Sequence, residues 1–163
     1  MAETTIYDFE ALSIDGQRAH LSTQRGKVIL VVNTASACGF TPQFAGLEQL
    51  WKDYRNRGLV IVGFPSNEFG SQDPGSNDEI GAFCQKNYGV SFPMMGKIEV
   101  NGAQAHPLWK FLTSEARGVL GSQAVKWNFT KFLVGRDGTV LKRYAPNDAP
   151  ESLRKDIEAA LAA

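Results

Sequence analysis

The sequence predicts an α/β fold in which helices flank a central mixed β-sheet and a β-hairpin comes first. Residues 27–33 (K-V-I-L-V-V-N) form a continuous β-branched run, which is typical of a strand covered on both faces. An amphipathic helical pattern over residues 42–57 and a second apolar run over 59–64 follow it. This β-α-β order implies parallel strands with a right-handed crossover, and ligands bind at the carboxyl edge of such sheets.

Two further elements are predicted in the first half of the chain. Apolar and polar residues alternate over 7–22 around an Asp-Gly turn at 15–16, which indicates the N-terminal hairpin. Further on, Ser76 and Glu79 have the spacing of a capping box, so a helix is expected to begin there. The apolar face of this helix should bury Cys84.

The second half of the chain completes the sheet and its helical layers. The predicted elements are a strand over 92–100, a helix over 107–115, a hairpin of strands 131–134 and 139–143, and a closing helix over 150–162. Neither a linker nor a repeat interrupts them. We therefore interpret residues 1–163 as one domain, with enough apolar material, at 43% of residues, for one core.

Composition argues against several classes of function. Lys and Arg number 17, as do Asp and Glu, and no basic tract offers a surface for nucleic acid or anionic lipid. The N-terminus lacks the pattern of a secretion signal, and no apolar run approaches the length needed to span a membrane. We expect a cytoplasmic protein with no nucleic-acid partner and no stable membrane insertion.

The cysteines indicate redox chemistry. Two cysteines in a reducing compartment are more often reactive than structural, and Cys38 and Cys84 lack the C-x-x-C and zinc-finger spacings. With only His20 and His106 as further soft ligands, neither a metal nor a cofactor is expected. A Cys–His hydrolase that uses His106 as its base is a distant alternative.

Cys38 is the candidate nucleophile. It follows the strand at 27–33, ahead of a turn at Gly39 and a helix that Pro42 opens. The unpaired N–H groups of a helix N-terminus favour the thiolate and lower the pKa of such a thiol below its usual value of about 8.5. The alternative is that Cys38 is a small buried apolar residue.

Three sequence blocks carry a family resemblance. They read N-T-A-S-A-C-G-F-T-P-Q at 33–43, G-F-P-S-N-E-F-G-S-Q-D-P-G-S at 63–76 and W-N-F-T-K-F-L-V at 127–134. In order and spacing, the chain resembles the glutathione peroxidase family, in its cysteine-containing, thioredoxin-dependent form. The resemblance implies a thioredoxin-like fold and the reduction of hydrogen peroxide and of organic or lipid hydroperoxides.

The resemblance also assigns roles to individual residues. Cys38 is the peroxidatic cysteine, and Gln72, Trp127 and Asn128 complete a catalytic tetrad. Their neutral N–H groups can hydrogen-bond a thiolate and support charge that develops on the leaving oxygen. Taken singly, each of the three also fits a packing or loop role.

Cys84 matches the resolving cysteine of the thioredoxin-dependent branch. The Cys38 sulfenic acid would condense with it to a disulfide that a thioredoxin-like dithiol reopens. Because this disulfide needs Cα atoms within about 7 Å, the helix around Cys84 should unwind, and we expect mobility over residues 76–88. If Cys84 is only a buried thiol, glutathione is the alternative reductant; a peroxide sensor that passes its disulfide to a partner protein is a second alternative.

Departures from the family pattern refine the expectation. Ser66 stands where many relatives have a further cysteine, and Glu68 stands where many have Gln. The segment 116–125 is shorter than in tetrameric members, which predicts a monomer with an open site for bulky hydroperoxides. Lys126 and Lys131 are expected to be solvated surface charges, so no basic cluster for glutathione is evident.

Overall fold

The structure, a computed structural model, describes residues 4–37, 39–71, 73–117 and 121–163. The strands are β1 (Glu10–Leu12), β2 (Arg18–His20), β3 (Val28–Thr34), β4 (Leu59–Pro65), β5 (Lys131–Val134) and β6 (Val140–Tyr144). The α-helices are α1 (Gln43–Tyr54), α2 (Asn77–Tyr88), α3 (Pro107–Glu115) and α4 (Arg154–Ala162). Short 3-10 helices cover Ile6–Asp8, Leu21–Gln24, Arg55–Arg57 and Pro150–Leu153.

The main sheet has the order β4-β3-β5-β6. β3 pairs in parallel with β4 and antiparallel with β5, and β5 is antiparallel to β6, so the predicted mixed sheet is confirmed. β1 and β2 form the predicted hairpin as a separate antiparallel pair. Every residue of β3 and β4 is buried, as the unbroken apolar runs predict.

Alternate residues of β3 feed two hydrophobic cores, one on each face of the sheet. Leu30 lies in the core that contains Phe44 of α1, Cys84 of α2 and Ile157 of α4. Ile29 lies in the opposite core, which contains Trp109 of α3. The sheet is therefore covered by helices on both faces. Among the described residues, no helix is long and apolar enough to cross a membrane.

The helix boundaries follow local sequence. The capping box at α2 is confirmed, since the Ser76 side chain accepts from the Glu79 N–H and the Glu79 carboxylate accepts from the Ser76 N–H. Pro107 occupies the first turn of α3, as expected. After α1 and the 3-10 turn that follows it, Gly58 takes a left-handed conformation with φ +110° and turns the chain into β4.

The strand predicted over 92–100 is wrong. Only isolated bridges occur there, at Met94 and Met95. The amides of this segment divide their hydrogen bonds between two sheets: the Met95 N–H donates to Gly63 of β4, and the Gly96 N–H donates to Leu12 of β1. An apolar run in sequence does not reveal that its two partners belong to different sheets, so no continuous ladder forms.

The prediction that Lys131 is a solvated surface charge is also wrong. Its side chain is fully buried in β5, and Nζ donates to the carbonyls of Ala145, Pro146 and Asp148 at 3.4, 3.1 and 2.6 Å. Burial lowers the pKa of Lys131 to about 8. Lys126, in contrast, is exposed as expected.

Candidate active site

Asn33 positions the loop that carries two of the predicted site residues. Its side chain donates to the carbonyl of Trp127 at 3.1 Å and accepts from the N–H of Thr130 at 2.9 Å, while its backbone carbonyl accepts from Phe129 at 2.7 Å. Asn33 is fully buried near the end of β3. Three hydrogen bonds therefore fix the loop 127–130 at the carboxyl edge of the sheet, where the sequence places the site.

Trp127 and Asn128 occupy different environments within this loop. Trp127 is half-buried, and its ring packs against Phe69 with centroids 5.7 Å apart, whereas Asn128 is fully buried. Phe129 has φ +63° and packs edge-on against Phe44 of α1. A left-handed non-glycine residue costs about 1–3 kcal/mol, so the packing of Phe129 and its bond to Asn33 maintain a strained turn directly after Asn128.

Cys38 and Gln72 lie outside the described residues, but the residues beside them are in contact. Asp73, next to Gln72, accepts hydrogen bonds at Oδ1 from the N–H of Ser36 at 3.2 Å and from its hydroxyl at 2.7 Å. Ser36 is two residues before Cys38. The loops that carry Cys38 and Gln72 therefore meet through this pair.

Further bonds hold the same two loops. The Thr41 hydroxyl donates to the carbonyl of Ala35 at 3.0 Å, which closes the turn between β3 and α1. The N–H of Asp73 donates to Asn67 at 2.9 Å within the loop between β4 and α2. The Phe69–Trp127 contact then connects that loop to the loop 127–130, so all three predicted blocks meet at one edge of the sheet.

Cys84 is buried in α2 as predicted, and its thiol is free. Burial, together with the smaller effect of the charge of Asp73, raises the pKa of Cys84 to about 12. Burial also raises the pKa of Asp73 above its ordinary value, while the bonds from Ser36 partly offset this effect. In this conformation, Cys84 is a protonated and unreactive thiol.

The two departures from the family pattern pack together. Ser66 is buried, and its hydroxyl donates to the Glu68 carboxylate at 3.3 Å. Glu68 also accepts from the backbone N–H groups of Val100 and Asn101 at 2.8 and 3.4 Å. Glu68 thus connects the loop after β4 to the turn at 100–101.

His106 has a structural role at the start of α3. Its Nδ1 accepts from the Leu108 N–H at 3.1 Å, and its ring contacts Phe64. Burial lowers the pKa of His106. Because Nδ1 already accepts the hydrogen bond that caps α3, the structure gives no support to His106 as the base of a hydrolase. Within the described ranges, no group of three His, Cys, Asp or Glu residues could hold a metal ion.

Reasoning from sequence missed Asn33, Ser36 and Asp73 as positioning residues. Asn33 follows the five apolar residues 28–32 directly, and Asp73 adjoins the predicted site residue Gln72. A polar residue in a buried strand is a usable indication of a specific hydrogen bond, since buried polar groups are normally paired. The hydrogen-bond partners of the Asn33 side chain lie 94 and 97 residues further along the chain and cannot be identified from sequence.

The chain matches known proteins over almost its whole length. It is 55% identical over 152 residues to a glutathione peroxidase of Lactococcus lactis, covering 93% of this chain and 96% of the relative. A glutathione peroxidase-like peroxiredoxin of Schizosaccharomyces pombe is 53% identical, covering 95% and 98%. A hydroperoxy fatty acid reductase of Synechocystis is 50% identical, covering 96% of each.

Solved structures support the fold. The apo crystal structure of Trgpx has a TM-score of 0.84 and 42% identity, covering 99% of this chain and 98% of that one. A thioredoxin-family thiol:disulfide interchange protein of Chlorobium tepidum has a TM-score of 0.72 at 18% identity, covering 99% and 98%, which confirms the thioredoxin-like fold. The family model for glutathione peroxidase matches residues 6–113. The chain therefore belongs to the glutathione peroxidase family.

Proposed function

We propose that this protein, a thiol peroxidase by its family, reduces hydroperoxides through a Cys38–Cys84 disulfide cycle that a thioredoxin-like dithiol completes. The observation that carries the proposal is the meeting of three loops at the carboxyl edge of β3. The Asn33-held loop supplies Trp127 and Asn128, and the Ser36–Asp73 pair joins the loops of Cys38 and Gln72.

In the first half of the cycle, the Cys38 thiolate attacks one oxygen of the hydroperoxide. An S–O bond forms and the O–O bond breaks, which leaves a sulfenic acid and, after the leaving oxygen takes a proton, an alcohol or water. The N–H groups of Gln72, Trp127 and Asn128 stabilise the thiolate and the charge on the leaving oxygen. The fixed loop 127–130 supports this role, because such donors act only if they are held in place.

In the second half, Cys84 condenses with the sulfenic acid and water leaves. A buried thiol with a pKa of about 12 does not react from within α2, so Cys84 must leave its core position first. Residues 76–88 are therefore proposed to unwind during each turnover. Thiol exchange with a thioredoxin-like protein then restores both thiols.

The relatives favour this reductant and substrate class. The Schizosaccharomyces pombe relative is named a peroxiredoxin, and the Synechocystis relative a hydroperoxy fatty acid reductase. We extend these names to the present chain as thioredoxin-type recycling and activity on organic and lipid hydroperoxides as well as hydrogen peroxide. Lys131 is bonded to three carbonyls and so is unavailable to bind glutathione. The proposal takes residues 1–163 as one domain, active as a cytoplasmic monomer.

The test is peroxide-dependent NADPH oxidation, run with thioredoxin and its reductase and in parallel with glutathione and its reductase. Turnover with thioredoxin should be lost in both Cys38→Ser and Cys84→Ser. Ala82→Ser is the matched control, because it places a serine at an exposed site on the same helix and leaves both thiols. Glutathione-driven turnover that survives Cys84→Ser would overturn the resolving role.

A further inference from the structure

Asp73 has a hydrogen-bonding arrangement that packing alone does not explain. It is 0% exposed, and Oδ1 accepts both hydrogen bonds from Ser36. Oδ2 is buried without a hydrogen-bond partner in the described part of the chain. A buried carboxylate oxygen with no donor is costly, and a neutral amide would satisfy Ser36 equally well. The buried carboxylate is therefore a cost to the stability of the fold.

Asp73 interacts both with the loop that carries Cys38 and with the Cys84 thiol. Ser36, its hydrogen-bond partner, is two residues from Cys38, and the charge of Asp73 acts on the Cys84 thiol. The other charged group that acts on Asp73 is Lys97, whose ammonium is held by the carbonyl of Gly75 at 2.5 Å. Oδ2 therefore forms no ion pair with any residue that the structure describes.

We propose that Asp73 accepts the proton of the Cys84 thiol when the Cys38–Cys84 disulfide forms, with Oδ1 fixed by Ser36 and Oδ2 left to take the proton. The proposal rests on the disulfide cycle proposed above. Cys84, on release from α2 toward Cys38, must reach the loop that Asp73 already contacts through Ser36. The carboxylate is thus bonded to the loop on which the thiol reacts.

The chemistry requires such an acceptor, because the thiolate is the attacking species. Cys84 leaves its core position before it reacts, and even a solvated thiol with the ordinary pKa of about 8.5 is ionised in only about 3% of molecules at pH 7. The charge of Asp73 opposes ionisation of Cys84 while the proton stays on sulfur. Transfer of that proton to Asp73 removes the opposing charge, so the negative charge moves from carboxylate to sulfur and no second charge is created.

The step balances in atoms and electrons. Asp73 takes the proton from Cys84, and the thiolate attacks the sulfur of the Cys38 sulfenic acid. The S–S bond forms, the S–O bond breaks, and the leaving hydroxide takes the proton from Asp73 to become water. The sulfenic sulfur is reduced and the Cys84 sulfur is oxidised to the disulfide level, with the hydroperoxide as the original oxidant.

The test is a single turnover with one equivalent of hydrogen peroxide, with quenched samples assayed for peroxide, for disulfide and for sulfenic acid trapped by a cyclic 1,3-dione. In Asp73→Asn, the amide oxygen can still accept the hydrogen bonds from Ser36, so disulfide formation should slow at least tenfold more than peroxide consumption does, and trapped sulfenic acid should accumulate. Raising the pH should restore part of the rate. The control is Glu68→Gln, the same chemical change in the same loop, which should leave both rates unchanged.

Two results would overturn the assignment. One is a wild-type rate of disulfide formation in Asp73→Asn, and the other is an equal loss of both steps, which would mean that Asp73 only holds the Cys38 loop. If wild type itself forms no Cys38–Cys84 disulfide, the proposed cycle has failed first, and the two failures are therefore distinguishable.

The wild-type pH profile tests the proposal even if Asp73→Asn does not fold. Among the described residues, two groups interact electrostatically with Asp73: the Cys84 thiol, which is the proton donor, and the Lys97 ammonium, which lowers the pKa of Asp73. The disulfide rate should fall as the pH is lowered through the raised pKa of Asp73 and should level off above it. A rate that instead rises about tenfold per pH unit from 6 to 9 would show that hydroxide, not Asp73, removes the proton.

Discussion

Replacement of Asn33 by Ala should destabilise the fold and slow peroxide reduction together. The change removes the side-chain acceptor of the Thr130 N–H and the donor to the Trp127 carbonyl. Thr130 is buried, so its unpaired N–H costs about 1–3 kcal/mol. The Trp127 carbonyl still accepts a hydrogen bond from the Thr130 hydroxyl at 3.1 Å, so the loss of its bond from Asn33 costs only about 1 kcal/mol.

The expected sum is about 2–4 kcal/mol of unfolding free energy, which corresponds to a fall in Tm of about 5–15 °C. Urea denaturation followed by tryptophan fluorescence measures it. Because displacement of catalytic groups by about 1 Å can cost about 100-fold, the rate of peroxide consumption should fall at least tenfold. Asn56→Ala, at an exposed position, is the control and should change stability by less than about 0.5 kcal/mol. Wild-type stability and rate in Asn33→Ala would refute this account of the loop.

Two further predictions concern Lys131 and α2. Burial lowers the pKa of Lys131 from 10.5 to about 8, so the lysine holds its proton more tightly in the unfolded chain than in the folded one. As the pH rises from 8 to 10.5, the unfolding free energy of wild type should therefore increase by up to about 3 kcal/mol relative to that of Lys131→Met. Urea unfolding of both proteins against pH measures this, and a difference that does not change with pH would contradict the lowered pKa of Lys131. Ser76→Ala removes the cap of α2 and should cost about 1 kcal/mol, which would speed disulfide formation up to about fivefold if the helix must unwind. His106→Ala, which removes the cap of α3, should lower stability without speeding disulfide formation. Equal rates of disulfide formation in wild type, Ser76→Ala and His106→Ala would argue against unwinding of α2.

Local patterns predicted most of the fold. The β-branched run at 27–33, the amphipathic helix after it and the run at 59–64 gave the parallel β3–β4 pair in the expected order. The capping box fixed the start of α2 and, through helical spacing, the burial of Cys84. These features depend on neighbours within a few residues, which is why sequence alone reveals them.

The errors and omissions come from contacts that are distant in sequence. Segment 92–100 bonds to two different sheets, and Lys131 is satisfied by carbonyls 14 to 17 residues further along the chain. In the same way, Asp73 is recognisable only through Ser36, 37 residues earlier. The local sequence around a lysine, an aspartate or an apolar run does not show whether such distant partners exist.

The most direct test of the central claim is a non-reducing peptide map of the wild-type protein after one equivalent of hydrogen peroxide, before and after addition of a reduced thioredoxin. We predict an intramolecular disulfide that links the Cys38 and Cys84 peptides and that thioredoxin opens within the time of one turnover. A Cys38 that is found oxidised or joined to glutathione, with Cys84 still a free thiol, would contradict the two-cysteine cycle.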